Sequence, residues 1–138
     1  EYVEDTGMKV LVENTAGGKN SVARYMDSIE RLWEVIGHLN VGLCLDTCHT
    51  WAGGIPTIDA VKGFKKLVKK IDLIHFNDSK DGFESSRDRH ENLGKGKIPK
   101  EELEYVIKNA KTDIIVETPN GPDAQKKDIA WIRRRLKK

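Results

Sequence analysis

Glu13, Asp46, His49, His75, Asp88, His90 and Glu117 carry imidazole nitrogens and carboxylate oxygens, the donors that zinc and similar first-row cations accept. Four of them, Glu13, Asp46, His75 and Glu117, stand at or near the C-terminal ends of separate short apolar runs: KVLVEN, VGLCLD, LIHFND and IIVE. A carboxylate at the end of a buried strand is costly unless it is paired or bound to a cation. Any one of them taken singly reads as a cap or half of a salt bridge, but four strand ends would each need a separate explanation. A bridging carboxylate can hold two metals close together, and such pairs orient a phosphodiester, generate hydroxide at neutral pH and stabilise the leaving oxygen. The pattern points to a metal-dependent enzyme.

Spacing refines this. Asp46 and His49 are three residues apart, so in a continuous strand they would face opposite sides. His49 must therefore lie past the strand end, in the loop, pointing to a neighbouring position. Asp88 and His90, two apart, share a face of an extended loop and can chelate one ion. His38 lies near the end of the first predicted helix with no carboxylate at useful spacing, and reads as a surface or helix-end histidine.

The elements that must position these side chains follow a regular order. Met8 to Asn14 is predicted as a strand, and Thr15 to Gly18 as a turn, with Asn20 or Ser21 as a helix cap. From Val22, apolar residues at spacings of three and four (Tyr25, Met26, Ile29, Leu32, Trp33, Ile36, Leu39) predict an amphipathic helix that Asn40 ends. Val41 to Asp46 reads as a strand, Thr47 to Thr57 as a loop, and Ile58 to Lys70 as a second helix. Leu73 to Asn77 is the third strand. The polar stretch from Asp78 to about Pro99 is longer than an ordinary strand-to-helix connection, and loops of that length are usually functional. A helix over Lys100 to Lys111, a strand over Ile114 to Glu117 and a helix over Asp123 to Leu136 complete a βαβαβαβα order. Strands that read as unbroken apolar runs belong to a parallel sheet covered by helices. In such sheets, chemistry collects at the C-terminal strand ends.

Composition sets outer limits. The 138 residues suit one domain spanning 1–138, and 38% hydrophobic with 33% charged residues reads as soluble and globular. The formal charge of +2 argues neither for nor against nucleic acid. No apolar run approaches the ~20 residues that span a bilayer, so no membrane partner is expected. Cys44 and Cys48 are the only cysteines, read as reduced thiols on or just past a buried strand; the pair alone is a weak zinc signal. The chain opens on Glu1 rather than Met, so processing, trimming or excision from a longer protein is expected.

The strings VENTAGG, CLDTCHTWAGG, HFNDSK, SRDRHENLGKG and VETPN, in this order, resemble the endonuclease IV family, and the likeness runs from about Val10 to the last helix. That family consists of metal-dependent DNA-repair enzymes that cut the backbone 5′ to abasic sites. Its fold is a (β/α)8 TIM barrel with zinc ions at the C-terminal mouth. The resemblance makes this chain the second half of such a barrel, four βα units. Glu13 matches the carboxylate that bridges two ions; Asp46, His75 and Glu117 match further ligands of one of them. His49, Asp88 and His90 match the ligand set of another ion. Two Zn2+ sites are thus implied here against three in a full-length member, with Mn2+ as an alternative, because the family's first two histidine ligands precede the segment that corresponds to this chain. Glu13 and Glu117 take the implied catalytic roles, Glu117 lying beside the attacking water. The implied partners are abasic DNA and either the missing N-terminal half-barrel or a second copy, and the implied location is cytoplasmic or nucleoid-associated.

Arg87, Arg89, Lys95 and Lys97 cluster beside the trio and suit contacts to DNA phosphates; their alternative is a solvated charged loop. Two rival functions stand beside the nuclease. Related barrels, the sugar isomerases and epimerases, place Glu, Asp, His and Glu at four strand ends around a single metal, for which the trio His49, Asp88 and His90 has no use. An inactive fragment that still binds metal or DNA is the other.

Overall fold

The computed structural model describes residues 7–18 and 20–137. Four strands, β1 (Val10–Glu13), β2 (Val41–Asp46), β3 (Leu73–His75) and β6 (Asp113–Ile115), form one parallel sheet in the order β1-β2-β3-β6. Between them run β4 (Asp78–Ser79) and β5 (His90–Glu91), which pair antiparallel as a separate two-stranded ribbon. The helices are α1 (Met26–Ile36), α2 (Thr47–Gly53), α3 (Thr57–Val68), α4 (Lys100–Ala110) and α5 (Gly121–Leu136). The predicted parallel βα units and their sequential order are therefore present, as expected of consecutive right-handed crossovers.

The period-two geometry of a strand divides each run between two faces. Leu43, Leu45 and Ile74 join Ile29, Val61, Phe64, Leu103, Val106, Trp131 and Ile132 in a single core between the sheet and the helices. Glu13, Cys44 and His75 fall on the opposite face, where their donor atoms lie within 4.8 Å of one another. On that face, Leu11 and Leu73 are only half-buried and Ile115 is 48% exposed. β1 and β6 each have one neighbour, so both long edges of the sheet are unpaired among the described residues. A closed barrel has no such edges.

Several boundaries differ from the predicted ones. The segment Thr47 to Thr57 is not a loop throughout: Thr47–Gly53 forms α2, capped by the Asp46 carboxylate, which accepts a 2.8 Å hydrogen bond from the His49 amide. Gly54, at φ 95°, closes it in the left-handed region that favours glycine. The seven residues are too few for a helical period to show. α1 begins at Met26 rather than Val22. The Thr15 amide bonds to the Ala23 carbonyl (2.9 Å), and the buried Arg24 reaches the Gly53 carbonyl (3.1 Å) and the Ser86 hydroxyl (2.7 Å), holding this segment across α2. α1 stops at Ile36, and α3 at Val68, where Lys69 takes φ 59°. The fourth strand of the sheet is Asp113–Ile115, so Glu117 lies beyond it.

The long stretch from Asp78 to Pro99 is ordered around a carboxylate. Asp78, fully buried, accepts hydrogen bonds from the amides of Gly94 (3.0 Å), Gly96 (3.0 Å), Ile98 (3.1 Å) and Ser79 (2.8 Å). Burial nonetheless pushes this carboxyl above its ordinary range, against the pull of those amides. A Cβ on Gly96 would meet Asp78 Oδ1 at 2.3 Å, so only glycine admits the approach. Asp128 secures the same loop from α5: it accepts from Asn92 Nδ2 (2.7 Å), the Leu93 amide (3.0 Å) and the Thr118 hydroxyl (2.6 Å). Asp78→Asn turns one acceptor oxygen into a donor facing amides that already donate. The expected loss is roughly 1–3 kcal/mol, the usual cost of a buried hydrogen-bonding group left unsatisfied, read as a lower denaturation midpoint.

Candidate metal centre

All seven sequence-predicted ligands come together at the C-terminal edge of the sheet. Glu13, Asp46 and His75 are the last residues of β1, β2 and β3; Glu117 lies two residues past β6. His49 is in the first turn of α2, which the cap at Asp46 fixes against the strand end. His90 begins β5, and its pairing with Ser79 of β4 draws it to the sheet edge, with Asp88 two residues ahead.

Two groups of donors form within this set. In the first, Asp46, His75 and Glu117 present atoms within 4.8 Å of one another. His75 Nδ1 stands 3.3 Å from both Glu117 Oε2 and Glu13 Oε1. In the second, Asp88 lies between two imidazoles: Oδ2 is 3.1 Å from His49 Nε2 and Oδ1 is 3.2 Å from His90 Nε2. Glu13 also reaches the second group, its Oε1 3.3 Å from His49 Nδ1, on the side of the ring away from the Nε2 that faces Asp88.

The two imidazoles carry the clearest sign of a cation. His49 Nδ1 is 2.8 Å from the Asn14 carbonyl, and His90 Nδ1 is 3.2 Å from the Glu117 carbonyl. A carbonyl only accepts, so each Nδ1 carries a proton and each ring turns its Nε2 inward, the nitrogen that a cation would take in place of a second proton. Both Nε2 atoms are buried, and neither has a hydrogen-bond partner; Asp88 is near them but outside hydrogen-bonding geometry. Orphaned buried nitrogens of this kind are costly. Imidazoles tied through Nδ1 to a carbonyl are also the usual form of a metal-ligating histidine. The donor set therefore fits a divalent cation with nitrogen and oxygen preference.

Electrostatics agrees. Asp46 is fully buried, and burial pushes its carboxyl up although the neighbouring His49 pulls it down. A hydrogen bond with His49 leads the effects that hold Glu13 below the carboxylate range. Burial alone would lower the His49 imidazole, but Glu13, Asp46 and Asp88 outweigh it and raise it to about 10. Four carboxylates around three imidazoles demand positive charge, which protons or cations can supply. Cys44 and Cys48 are free and buried, as their sequence positions suggested, and burial pushes both thiols up to about 12. Exposed His38, just past α1, takes no part.

Sequence reasoning missed the residues that hold the ligands. Asn14 Oδ1 accepts the Asp46 amide (2.8 Å) and its Nδ2 donates to the Asp46 carbonyl (3.1 Å), extending the β1–β2 ladder by a side chain. Asn77 repeats this one strand over: Nδ2 donates to Asp46 Oδ2 (2.8 Å) while Oδ1 accepts the Glu117 amide (2.9 Å). Thr47 Oγ1 receives the Asn77 amide (2.8 Å) and donates to the Asn77 carbonyl (2.6 Å). The available signal was an amide side chain just past a strand-end ligand, in VEN and again in HFN.

The four predicted DNA contacts divide. Arg89 makes a two-pronged ion pair with Asp81, its Nε at 2.7 Å, and Arg87 Nη1 lies 3.6 Å from the same carboxylate. Lys95 and Lys97 are exposed with no carboxylate partner among the described residues.

A sequence profile described as xylose isomerase-like TIM barrel matches residues 1–135. The chain belongs to that family. Within it, the chain is similar to the "Probable endonuclease 4" proteins of Mycobacterium bovis, 48% identical over 131 residues, and Mycobacterium ulcerans, 47% identical over 131. Each match covers 95% of this chain and 51% of the relative, so the chain spans about half the length of these curated relatives. Among solved structures, endonuclease IV from Thermus thermophilus superposes with a TM-score of 0.80 at 29% identity, covering 98% of this chain and 54% of that one. A D-tagatose 3-epimerase-like protein, TM-score 0.70 at 20% identity, shows the fold alone. The expected half-barrel and endonuclease IV likeness are both found.

Asn77→Ala would strip Asp46 Oδ2 of its donor and Glu117 of the acceptor that fixes its backbone. The expected effect is roughly 10–100-fold weaker metal binding, as for other outer-shell partners of ligands, measured by competition with a chromogenic chelator. Unchanged affinity in a folded variant would contradict the positioning role.

Proposed function

We propose that this chain is the metal-holding half of a zinc-dependent phosphodiesterase that cleaves DNA 5′ to abasic sites. The observation that carries the reading is the pair of buried, unpartnered Nε2 atoms of His49 and His90 facing Asp88, next to a second donor group that shares Glu13. A single-metal isomerase has no use for the trio His49, Asp88 and His90 beside that group. The likeness to endonuclease 4 proteins across 95% of the chain supports the substrate class.

Asp46, His75 and Glu117 would hold one cation with Glu13 shared; His49, Asp88 and His90 would hold another. Bound there, zinc would polarise a phosphate oxygen, lower the pKa of water and neutralise the leaving oxygen. The chain's own residues do the rest. Asn14, Asn77 and the α2 cap fix the ligands on rigid elements, so little reorganisation accompanies the reaction. The Glu117 side chain is 42% exposed at the mouth, with Oε2 3.3 Å from His75 Nδ1. Its other oxygen would orient a water and take its proton as the nucleophile advances on phosphorus. Departure of the 3′-oxygen leaves a hydroxyl on one side of the break and a phosphate on the deoxyribose side. The remaining ligands and the other wall of the DNA cradle would come from four further βα units pairing with β1 and β6.

The test is a labelled duplex with one abasic analogue, incubated with the chain alone and then joined to the first four βα units of an endonuclease 4 relative. The joined protein should cut on the 5′ side and lose activity on chelation. The chain alone should cut poorly or not at all. In the joined protein, Glu117→Gln should lower incision roughly 10²–10⁴-fold, the range for loss of a general base, with duplex affinity little changed. No incision by joined halves loaded with metal would overturn the assignment.

A further inference from the structure

A cleft of about 420 Å³ lies beside the metal-type cluster and takes no part in it. One wall is the Asn92–Lys95 turn, beginning two residues after His90; the other is Asn120, three residues after Glu117, and the face of α5 that runs from Ala124 to Arg134. Three cations line it: Lys95, Lys127 and Arg134. None has a carboxylate within ion-pair distance among the described residues, unlike Arg87 and Arg89, which share Asp81, or Arg135, which pairs with Glu104 at 2.9 Å. The carboxylate nearest in the lining, Asp128, is buried and fully engaged by Asn92, Leu93 and Thr118. The cleft is therefore electropositive on balance, three cations against the single carboxylate of Asp128.

A second observation points to what it takes. Trp131, 9% exposed, forms part of the lining, and its indole N–H has no acceptor among the described residues. The ring is held on its other contacts by Arg135, 3.5 Å from the centroid, and by Phe76, with centroids 6.3 Å apart. Gly94, at φ 77°, passes so close that a Cβ would meet Trp131 Nε1 at 3.0 Å, which leaves the N–H edge uncovered at the cleft. An oriented neutral donor among three unpaired cations calls for an anion with several acceptor oxygens. At the flank of a site that acts on a phosphodiester, that anion is a backbone phosphate. Phosphate contacts of this kind set register on the duplex without reading sequence.

We propose that this cleft is a phosphate subsite that grips the DNA backbone outside the reacting nucleotide, with Lys95, Lys127 and Arg134 supplying charge and Trp131 the directed hydrogen bond. It rests on the phosphodiesterase reading above, and its failure is separable from the failure of that reading. In the protein joined to its first four βα units, affinity for an intact and for an abasic duplex is measured by anisotropy across a salt series. K127Q/R134Q, on the exposed side of α5, should weaken both duplexes about fivefold to tenfold near 0.1 M salt and reduce the slope of log affinity against log salt by roughly 1–2, since each phosphate contact contributes nearly one. W131F should weaken both about twofold to threefold with the slope unchanged, because it removes a neutral donor. Metal content and thermal midpoint of K127Q/R134Q should match the parent. Unchanged affinity and slope in K127Q/R134Q, in a protein that still cuts abasic DNA, would overturn the subsite and leave the function standing. A parent protein that binds neither duplex would overturn both. Inorganic phosphate shifting the indole fluorescence of the parent but not of W131F, at concentrations that leave duplex binding intact, would overturn the assignment to DNA in favour of a free anion.

Discussion

Asp46 is the residue on which the rest of the site depends. Its side chain is fully buried, and a buried carboxylate survives only where hydrogen bonds and positive charge replace the water it has lost. Each replacement here has a structural consequence. Oδ1 caps α2 through the His49 amide, so the same bond that satisfies the carboxylate aims His49. Oδ2 takes Asn77 Nδ2, and the other end of that amide fixes the Glu117 backbone. Its own backbone is held by Asn14, the residue after Glu13. Segments bearing Glu13, His49, His75 and Glu117 are thereby referred to one group. Satisfying Asp46 and assembling the donors are the same act.

The second group of donors depends on a different pair of carboxylates. Asp88 and His90 come from a stretch with little apolar content, which hydrophobic burial alone would not order. Asp78 and Asp128, both buried, gather backbone amides and an Asn side chain from its second half, while the β4–β5 ribbon ties its start to its middle. The loop is thus built around two acceptors instead of around a core. This explains how a polar segment can offer His90 with its Nδ1 fixed and its Nε2 free.

These two mechanisms also account for what the sequence made legible. The sheet could be read because VLVE, VGLCLD and LIH are apolar runs whose burial decides their conformation, and the helix periods of α1, α3 and α4 are strong. The cluster of donors could be read because four of the seven recur at or near strand ends. α2 could not, since seven residues capped by a side chain leave no period, and its start is set by Asp46 from outside. The late start of α1 was equally hidden, because it follows from tertiary bonds of Arg24 to Gly53 and Ser86. Arg87 and Arg89 read as DNA contacts from their charge, and the carboxylate they share, Asp81, is evident only in space. Hydrophobic periodicity reports burial; it is silent about polar groups that satisfy one another.

The site faces away from the core that stabilises the chain. Leu43, Leu45 and Ile74 pack under the helices, so the apolar core of the four βα units lies on the face of the sheet away from the donors. Leu11, Leu73 and Ile115 on that face, and the open edges of β1 and β6, are where the sheet has bonds and apolar surface still to satisfy. The donors sit at the rim of that same face, with Glu13 at the end of β1 and Glu117 just past β6. Whatever pairs with those two edge strands arrives beside the two carboxylates at the extremes of the cluster. A neighbour that extends the ladder at β1 places its own strand end next to Glu13, so what closes the sheet also meets the donor cluster. In a closed barrel every wall of the mouth is a strand end. Here four strands supply half of such a ring, organised by Asp46, with Glu13 and Glu117 at its two open ends.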